Sequence, residues 1–215
     1  MSDVEWDEQT SRAYARYMEK VVPRDHRPTA QRILADWPDC PSGATVVDVA
    51  GGPGFMLLEV GPHLRQARMV LLDSAATMIQ LGRERAAARG HELEGRVCPA
   101  EKLDLPDASA DLVVCSHFLR LAKDLDATLR EIARILRPGG RAYLTDFDQE
   151  GSWILKRFLH LYILLTGPRL LSKDFGETLR IALPASTLPA RLKAAGFGDA
   201  RVLHRSVSFL VRADR

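Results

Sequence analysis

Val46-Val47-Asp48-Val49-Ala50-Gly51-Gly52-Pro53-Gly54-Phe55 reads as a strand, a tight turn and the first residue of a helix. A β-branched run stops at glycines, whose missing side chains let the backbone approach a ligand, and helical periodicity resumes after them. Asp73 follows at the end of the next apolar run, Ala67–Leu72. A doubly wound α/β fold places an acid there to accept hydrogen bonds from ribose hydroxyls. The pair of features predicts a nucleoside-containing cofactor.

A dinucleotide loop wants a third glycine and a row of N–H groups aimed at a pyrophosphate. Here Gly52-Pro53-Gly54 runs into Phe55-Met56-Leu57, and Pro53 has no N–H to offer an anion. S-adenosylmethionine carries no phosphate. It needs a close backbone for its methionine end, an acid for its ribose and a setting that tolerates a sulfonium, which Asp48 and Asp73 serve better.

The 215 residues suffice for one well-buried α/β domain, spanning 1–215. A formal charge of +2 and 27% charged residues carry no strong bias toward nucleic acid or acidic lipid. The basic residues near the C-terminus, Arg201, His204, Arg205, Arg212 and Arg215, interleave with apolar ones as on the outer face of a strand. Neither a basic cluster with aromatics nor an Asn-Pro-Pro-Tyr-type motif follows the fourth strand, which disfavours nucleic-acid methylation. Cys40, Cys98 and Cys115 lack CxxC spacing, and no metal site is implied. The start, Met1-Ser2-Asp3-Val4-Glu5-Trp6, is acidic where a signal peptide would be basic, so a cytoplasmic location is expected.

Apolar residues recur at helical spacing through Ala13, Tyr14, Tyr17, Met18 and Val21, and Pro28 precedes a second helical segment through Trp37; residues 1–42 thus form a helical cap. Strand and helix signals then alternate over 43–147: strands at Thr45–Ala50, Ala67–Leu72, Arg96–Pro99, Asp111–Ser116 and Arg141–Phe147, helices at Phe55–Leu64, Ala75–Arg89 and Leu125–Leu136. Such alternation means a parallel sheet with ligands at the carboxyl ends of its strands. Asp48, Asp73, Ala100, Ser116 and Asp146 all fall at those ends. In the insertion 148–187, Trp153–Leu165 is apolar almost all round but too short to span a bilayer. It reads as a buried helix, a lid over an apolar acceptor, or a peripheral membrane contact. Thr187–Ala195 and late strands Ala200–Leu203 and Val207–Val211 complete 188–215. The expected fold is a Rossmann-like, doubly wound, mostly parallel seven-stranded sheet with N-terminal cap helices and a helical insertion after strand five.

In this order the landmarks resemble the class I S-adenosylmethionine-dependent methyltransferases. The likeness rests on Val-Val-Asp-Val-Ala-Gly-Gly-Pro-Gly at 46–54, Leu-Leu-Asp-Ser at 71–74 with Met78, Pro-Ala-Glu-Lys-Leu-Asp-Leu-Pro at 99–106 with Ala-Asp-Leu-Val-Val at 110–114, and Leu-Arg-Glu-Ile-Ala-Arg-Ile-Leu-Arg-Pro-Gly-Gly at 129–140. Ser116-His117-Phe118-Leu119-Arg120 and the run Leu188–Phe197 resemble the ubiquinone and menaquinone biosynthesis C-methyltransferases. The resemblance implies that Gly51, Gly52 and Gly54 line the methionine end, Asp73 holds the ribose with Ser74 beside it, Met78 lies against the adenine, Ala100 and Glu101 face its edge, and Ser116 sits beneath the sulfonium. Ala50 stands where the superfamily usually has a first glycine and is expected to need only an ordinary φ. Pro53 and Phe55 replace a Thr and an Asp of the quinone-type loop, and Pro99 an Asn or Asp before the adenine.

Methyl transfer to a carbon needs alignment, exclusion of water and a base near the donor sulfur. His117 has the best address for that base, followed by Asp146 and His160. Tyr17, with Tyr14, either closes over the cofactor or anchors the cap. The reading is an enzyme acting on a small, fairly apolar acceptor, quinone-like or a specialised metabolite, with oligomeric state open. An O- or N-methyltransferase of a natural-product pathway, a non-catalytic cofactor-binding regulatory or scaffold domain, and a nicotinamide oxidoreductase are the competing readings.

Overall fold

The computed structural model describes residues 7–166 and 176–215. The acidic start at 1–6 and residues 167–175 of the insertion lie outside the described residues. One seven-stranded sheet organises the rest, in the order β3-β2-β1-β4-β5-β7-β6. β1 (Thr45–Val49), β2 (Arg68–Asp73), β3 (Glu94–Val97), β4 (Ala110–Ser116) and β5 (Leu136–Phe147) run parallel, and β7 (Ser208–Asp214) inserts antiparallel between β5 and β6 (Asp199–Arg205).

Pleating sends successive side chains of each central strand to opposite faces. Val47, Val49, Val70, Leu72, Val113 and Cys115 join one core with Leu129, Ile132 and Ala133 of α5 (Leu125–Ile135) and with Leu188 and Leu192 of the C-terminal helix Leu188–Ala194. Val46, Leu71, Leu112 and Val114 join the other, against Ala30 and Ile33 of α2 (His26–Asp36), Met56, Leu57 and Leu58 of α3 (Phe55–Val60) and Ile79 of α4 (Ala76–Ala88). The strands are therefore buried on both sides, as their unbroken apolar runs require.

The cap forms a third cluster. Ala15 of α1 (Glu8–Val21) and Val22 pack on Phe55, Met78 and Leu81, and Arg85 reaches Glu19 at 2.5 Å. Phe55 thereby gains a structural reason: it is the floor on which the cap rests, with the Arg85 guanidinium 4.0 Å from its ring.

Several boundaries differ from expectation. β3 lies two residues earlier than 96–99, because its partners are Val70 to Asp73 of β2. α2 begins at His26, with Pro28 inside its first turn, where a missing N–H has no intrahelical acceptor to lose. The helix expected over 55–64 ends at Val60 and tightens into a 3₁₀ turn, Gly61–His63, carrying Pro62. Leu136 does not end α5 but pairs with Ala110 as the first residue of β5, and Arg137 to Gly140 bulge before pairing resumes at Arg141. α6 (Trp153–Thr166) is not a buried helix: Trp153 is 72% exposed, Phe158 66% and Leu165 74%.

Candidate active site

At the carboxyl edge, where the strand order reverses between β1 and β4, lies a cavity of about 760 Å³. Its walls take in the loop after β1, Asp73 and Ser74 after β2, Pro99 to Glu101 after β3, and Ser116 to Phe118 after β4. Tyr14, Tyr17, Arg24 and Asp25 of the cap and Leu159, Tyr162 and Ile163 of α6 close it from above. Arg24 donates from Nη1 to the Tyr162 hydroxyl at 2.8 Å, tying cap to α6.

The glycine loop is built by a tight turn, with Gly54 N donating to Gly51 O at 3.0 Å. Gly51 cannot bear a side chain: a Cβ there would lie 2.6 Å from Asp48 Oδ2 and from Leu71 Cδ1. Gly52 is different, with φ +54 and open space where its Cβ would stand. Ala50 does not have the ordinary φ expected of it; its φ of 51 is left-handed. That conformation costs an alanine about 1–2 kcal/mol. The adjacent strand end repeats the device at His117, φ 57, whose N–H donates to Thr145 O at 2.7 Å. Two neighbouring strands thus end in strained turns facing one cavity, a pattern associated with ligand sites.

Asp73 is already oriented. Its Oδ2 accepts from Gly52 N and its Oδ1 from Ala75 N, each at 2.9 Å, which ties the loop after β1 to the end of β2. Burial pushes its carboxyl above the usual range, and the N–H groups of Ala75, Gly52 and Ser74 oppose that rise. Each oxygen keeps a lone pair for a further donor. Asp48, fully buried behind Gly51, is pushed up to about 8 by burial, against one hydrogen bond from Leu57 N at 3.2 Å. Burial thus favours its protonated form, which offers a hydrogen bond, over the charge the sequence suggested.

The three expected bases are not equivalent. Asp146 is fully buried and absent from the cavity wall, because strand alternation gives that wall to Phe147. Its carboxylate accepts from Arg120 Nη1 at 2.5 Å, Arg120 N at 3.0 Å and Phe147 N at 2.7 Å. It holds Arg120. His160, on α6 beside Gly176, does not line the cavity either. His117 does, but its Nε2 lies 2.8 Å from Asp25 Oδ2 and its Nδ1 is buried without a partner. Burial opposes its protonation, yet the Asp25 charge and hydrogen bond outweigh that and move its pKa up. Burial alone would raise Asp25, but His117 holds it below the usual carboxylate range. His26, whose ring centroid is 5.8 Å from that of His117, is driven down to about 4 chiefly by burial.

Gly51, Gly52, Pro53, Ala50, Asp48, Asp73, Ser74, Met78, Ala100, Glu101, Ser116 and Tyr17 all line the cavity. Gly54 stands behind them as the left-handed residue before α3. Sequence reasoning missed Asp25. Its only signal was a run of four consecutive polar residues, Arg24-Asp25-His26-Arg27, breaking the cap's apolar period.

The donor set fits S-adenosylmethionine and not a dinucleotide. Pro53 offers no N–H at the turn, Gly52 leaves backbone open to the cavity, Asp73 is poised toward a diol, and the buried hydroxyl of Ser116 lacks a partner. Residues 47–144 match the model of a methyltransferase domain. A ubiquinone/menaquinone biosynthesis C-methyltransferase, UbiE, of Hahella chejuensis is 32% identical over 181 residues, covering 77% of this chain and 72% of that protein. The chain is a class I S-adenosylmethionine-dependent methyltransferase of the UbiE-like group.

A second UbiE, of Rubrivivax gelatinosus, is 37% identical over 130 residues, 60% of this chain and 49% of that protein. The crystal structure of a SAM-dependent methyltransferase from Aquifex aeolicus superposes with a TM-score of 0.72 over 97% of this chain and 98% of that one, at 18% identity, a likeness of fold alone. This methyltransferase therefore uses S-adenosylmethionine as its methyl donor. Among the described residues no helix is long and apolar enough to cross a membrane.

Proposed function

We propose that this methyltransferase methylates a ring carbon of a small, apolar, quinol-like acceptor held in the cavity beside its donor. The observation that carries the reading is the cavity itself. One side is the polar edge of β1, β2 and β3, and the other is formed by Phe118, Leu121, Phe147, Leu159 and Ile163, more room and more apolar wall than the donor's own recognition uses. The UbiE relatives, named as C-methyltransferases of ubiquinone and menaquinone biosynthesis, support the acceptor class.

In this reading Gly51, Gly52, Pro53 and Gly54, with Ala50 and Asp48 behind them, receive the methionine end. Asp73, with Ser74, clasps the ribose. Met78, Ala100 and Glu101 enclose the adenine; Met78 and Ala100 are buried, and Glu101 Oε1 is steadied by Lys123 N at 3.2 Å. Ser116, its hydroxyl unpartnered, lies under the reacting group, and Tyr17 closes the cap side. S-adenosylmethionine, when bound, supplies an electrophilic methyl group on a sulfonium. The chain's own work is alignment and exclusion of water. α1, α2 and α6 form one roof across the site, tied through Arg24 and Tyr162. A covalent nucleophile is not needed.

The test is methyl transfer from S-adenosylmethionine to 2-alkyl-1,4-hydroquinones, read as S-adenosylhomocysteine formed and as a ring-methylated product by mass spectrometry. Binding of S-adenosylhomocysteine without transfer to any hydroquinone would favour a scaffold role, and O-methylated product would favour natural-product-type chemistry.

A further inference from the structure

We infer that Asp25, held by His117, receives a hydroxyl of the acceptor ring and selects hydroxylated acceptors. The inference rests on the quinol-like reading above. Asp25 occupies the N-cap of α2, where an aspartate ordinarily accepts from the first turn's N–H groups, but it makes no such bond. Its carboxylate turns instead to the end of β4. There Oδ2 is hydrogen-bonded to His117 Nε2 at 2.8 Å, while His26 Nδ1 lies 3.3 Å away without making a hydrogen bond.

Oδ1 accepts no hydrogen bond from any described residue, and the Asp25 side chain keeps 32% of its surface open. A cavity-lining carboxylate with one oxygen committed and the other without a donor is an acceptor awaiting one. The neighbouring surfaces are ring-shaped and apolar: Phe147, centroid 5.1 Å from the His117 ring, with Phe118, Leu159 and Ile163 in the same wall. Arg120, a cation in the same cavity lining, is committed to Asp146 and to His117 O. A ring that presents O–H toward Asp25 and carbon toward the β1–β4 edge, beside Ser116, satisfies both halves of the cavity. An anionic substituent in that place would meet like charge. The His117 hydrogen bond fixes which oxygen stays free, so Asp25 touches the acceptor and His117 positions Asp25.

The experiment uses the full chain saturated with S-adenosylhomocysteine and measures, by calorimetry, binding of a 2-alkyl-1,4-hydroquinone and of its dimethyl ether. The wild type is expected to prefer the hydroquinone by at least about tenfold, the lower end for a hydrogen bond to a charged group. Asp25→Asn and Asp25→Ala should reduce that preference to within about threefold, with S-adenosylhomocysteine affinity unchanged. Should the alanine variant fail to fold, the isosteric asparagine decides. Retention of the preference in the variants overturns the inference. If neither probe binds wild type that still binds S-adenosylhomocysteine, the quinol-like reading itself fails, and the inference falls with it.

Discussion

Gly51 and Gly52 are adjacent glycines with opposite reasons to be glycine, and alanine at each separates packing from ligand binding. At Gly51 the new methyl would lie 2.6 Å from Asp48 Oδ2 and from Leu71 Cδ1, both on fully buried residues. Ordinary contacts are roughly 3.5–4.0 Å, so each neighbour must retreat by about 1 Å. Overpacking on this scale costs up to about 3 kcal/mol, which in a chain of this size lowers Tm by about 6–12 °C. At Gly52 no heavy atom lies within 4 Å of the new Cβ, and the only penalty is the left-handed φ of +54. That strain, about 1–2 kcal/mol as at Ala50, exceeds what the freedom alanine removes from the unfolded chain can offset, so Tm should fall by no more than about 8 °C, less than at Gly51. The Gly52 methyl projects into the cavity, however, and should weaken S-adenosylhomocysteine by about tenfold or more. Differential scanning calorimetry and isothermal titration on the two variants give the comparison. Equal stability of the two variants would refute the packing argument, and wild-type affinity in Gly52→Ala would refute the placement of the cofactor on this backbone.

Asp73→Ala removes an oriented carboxylate and should lower S-adenosylhomocysteine affinity by about tenfold to a hundredfold, measured by titration; a change under about twofold would remove Asp73 from the ribose site. Asp48→Asn should stabilise the protein increasingly as pH rises. Burial sets the Asp48 carboxyl at about 8, so between its unfolded value near about 4 and that point the wild-type fold must hold a proton that the unfolded chain releases; urea melts across that range that run parallel for both proteins would refute the burial argument. The raised pKa of His117 implies that its stabilisation is complete below the unfolded value of about 6.5 and is lost as pH rises through the folded value, while the lowered Asp25 confers stability above about 3.9 that is lost as pH falls through its folded value. His117→Gln should therefore cost more at about pH 5 than at about pH 9, where the two proteins converge. Tyr162→Phe removes the Arg24 hydrogen bond at 2.8 Å and should raise KM for the acceptor by about threefold to tenfold, leaving donor affinity alone; an unchanged KM would mean the cap and α6 do not close through that bond.

The order of layers and the polar edge could be read from residues alone, because each depends on local chemistry. Val46-Val47-Asp48-Val49 carries the β-branched run expected of a strand covered on both faces, glycines end it, and Asp73 closes the next strand. Position 50 shows the limit. An alanine says nothing of its φ, and the left-handed turn there is set by the closure of the 51–54 loop and the tie of Gly52 to Asp73, 21 residues after it. Asp146 stood behind His117 as a candidate base at a strand end. Only the pleat of β5, which turns Asp146 inward to Arg120, and the seating of the cap, which brings Asp25 from 92 positions away, told them apart.

By itself the sequence determined the alternation of strands and helices, the glycine turn and the carboxylate after β2, and through them the class of cofactor; these follow from period, backbone freedom and charge, which are properties of neighbours along the chain. Tertiary structure alone decided the protonation of Asp48, the pairing of Asp25 with His117 and the exposure of α6. Burial and long-range contact set each of these, and neither is written in any short stretch of residues.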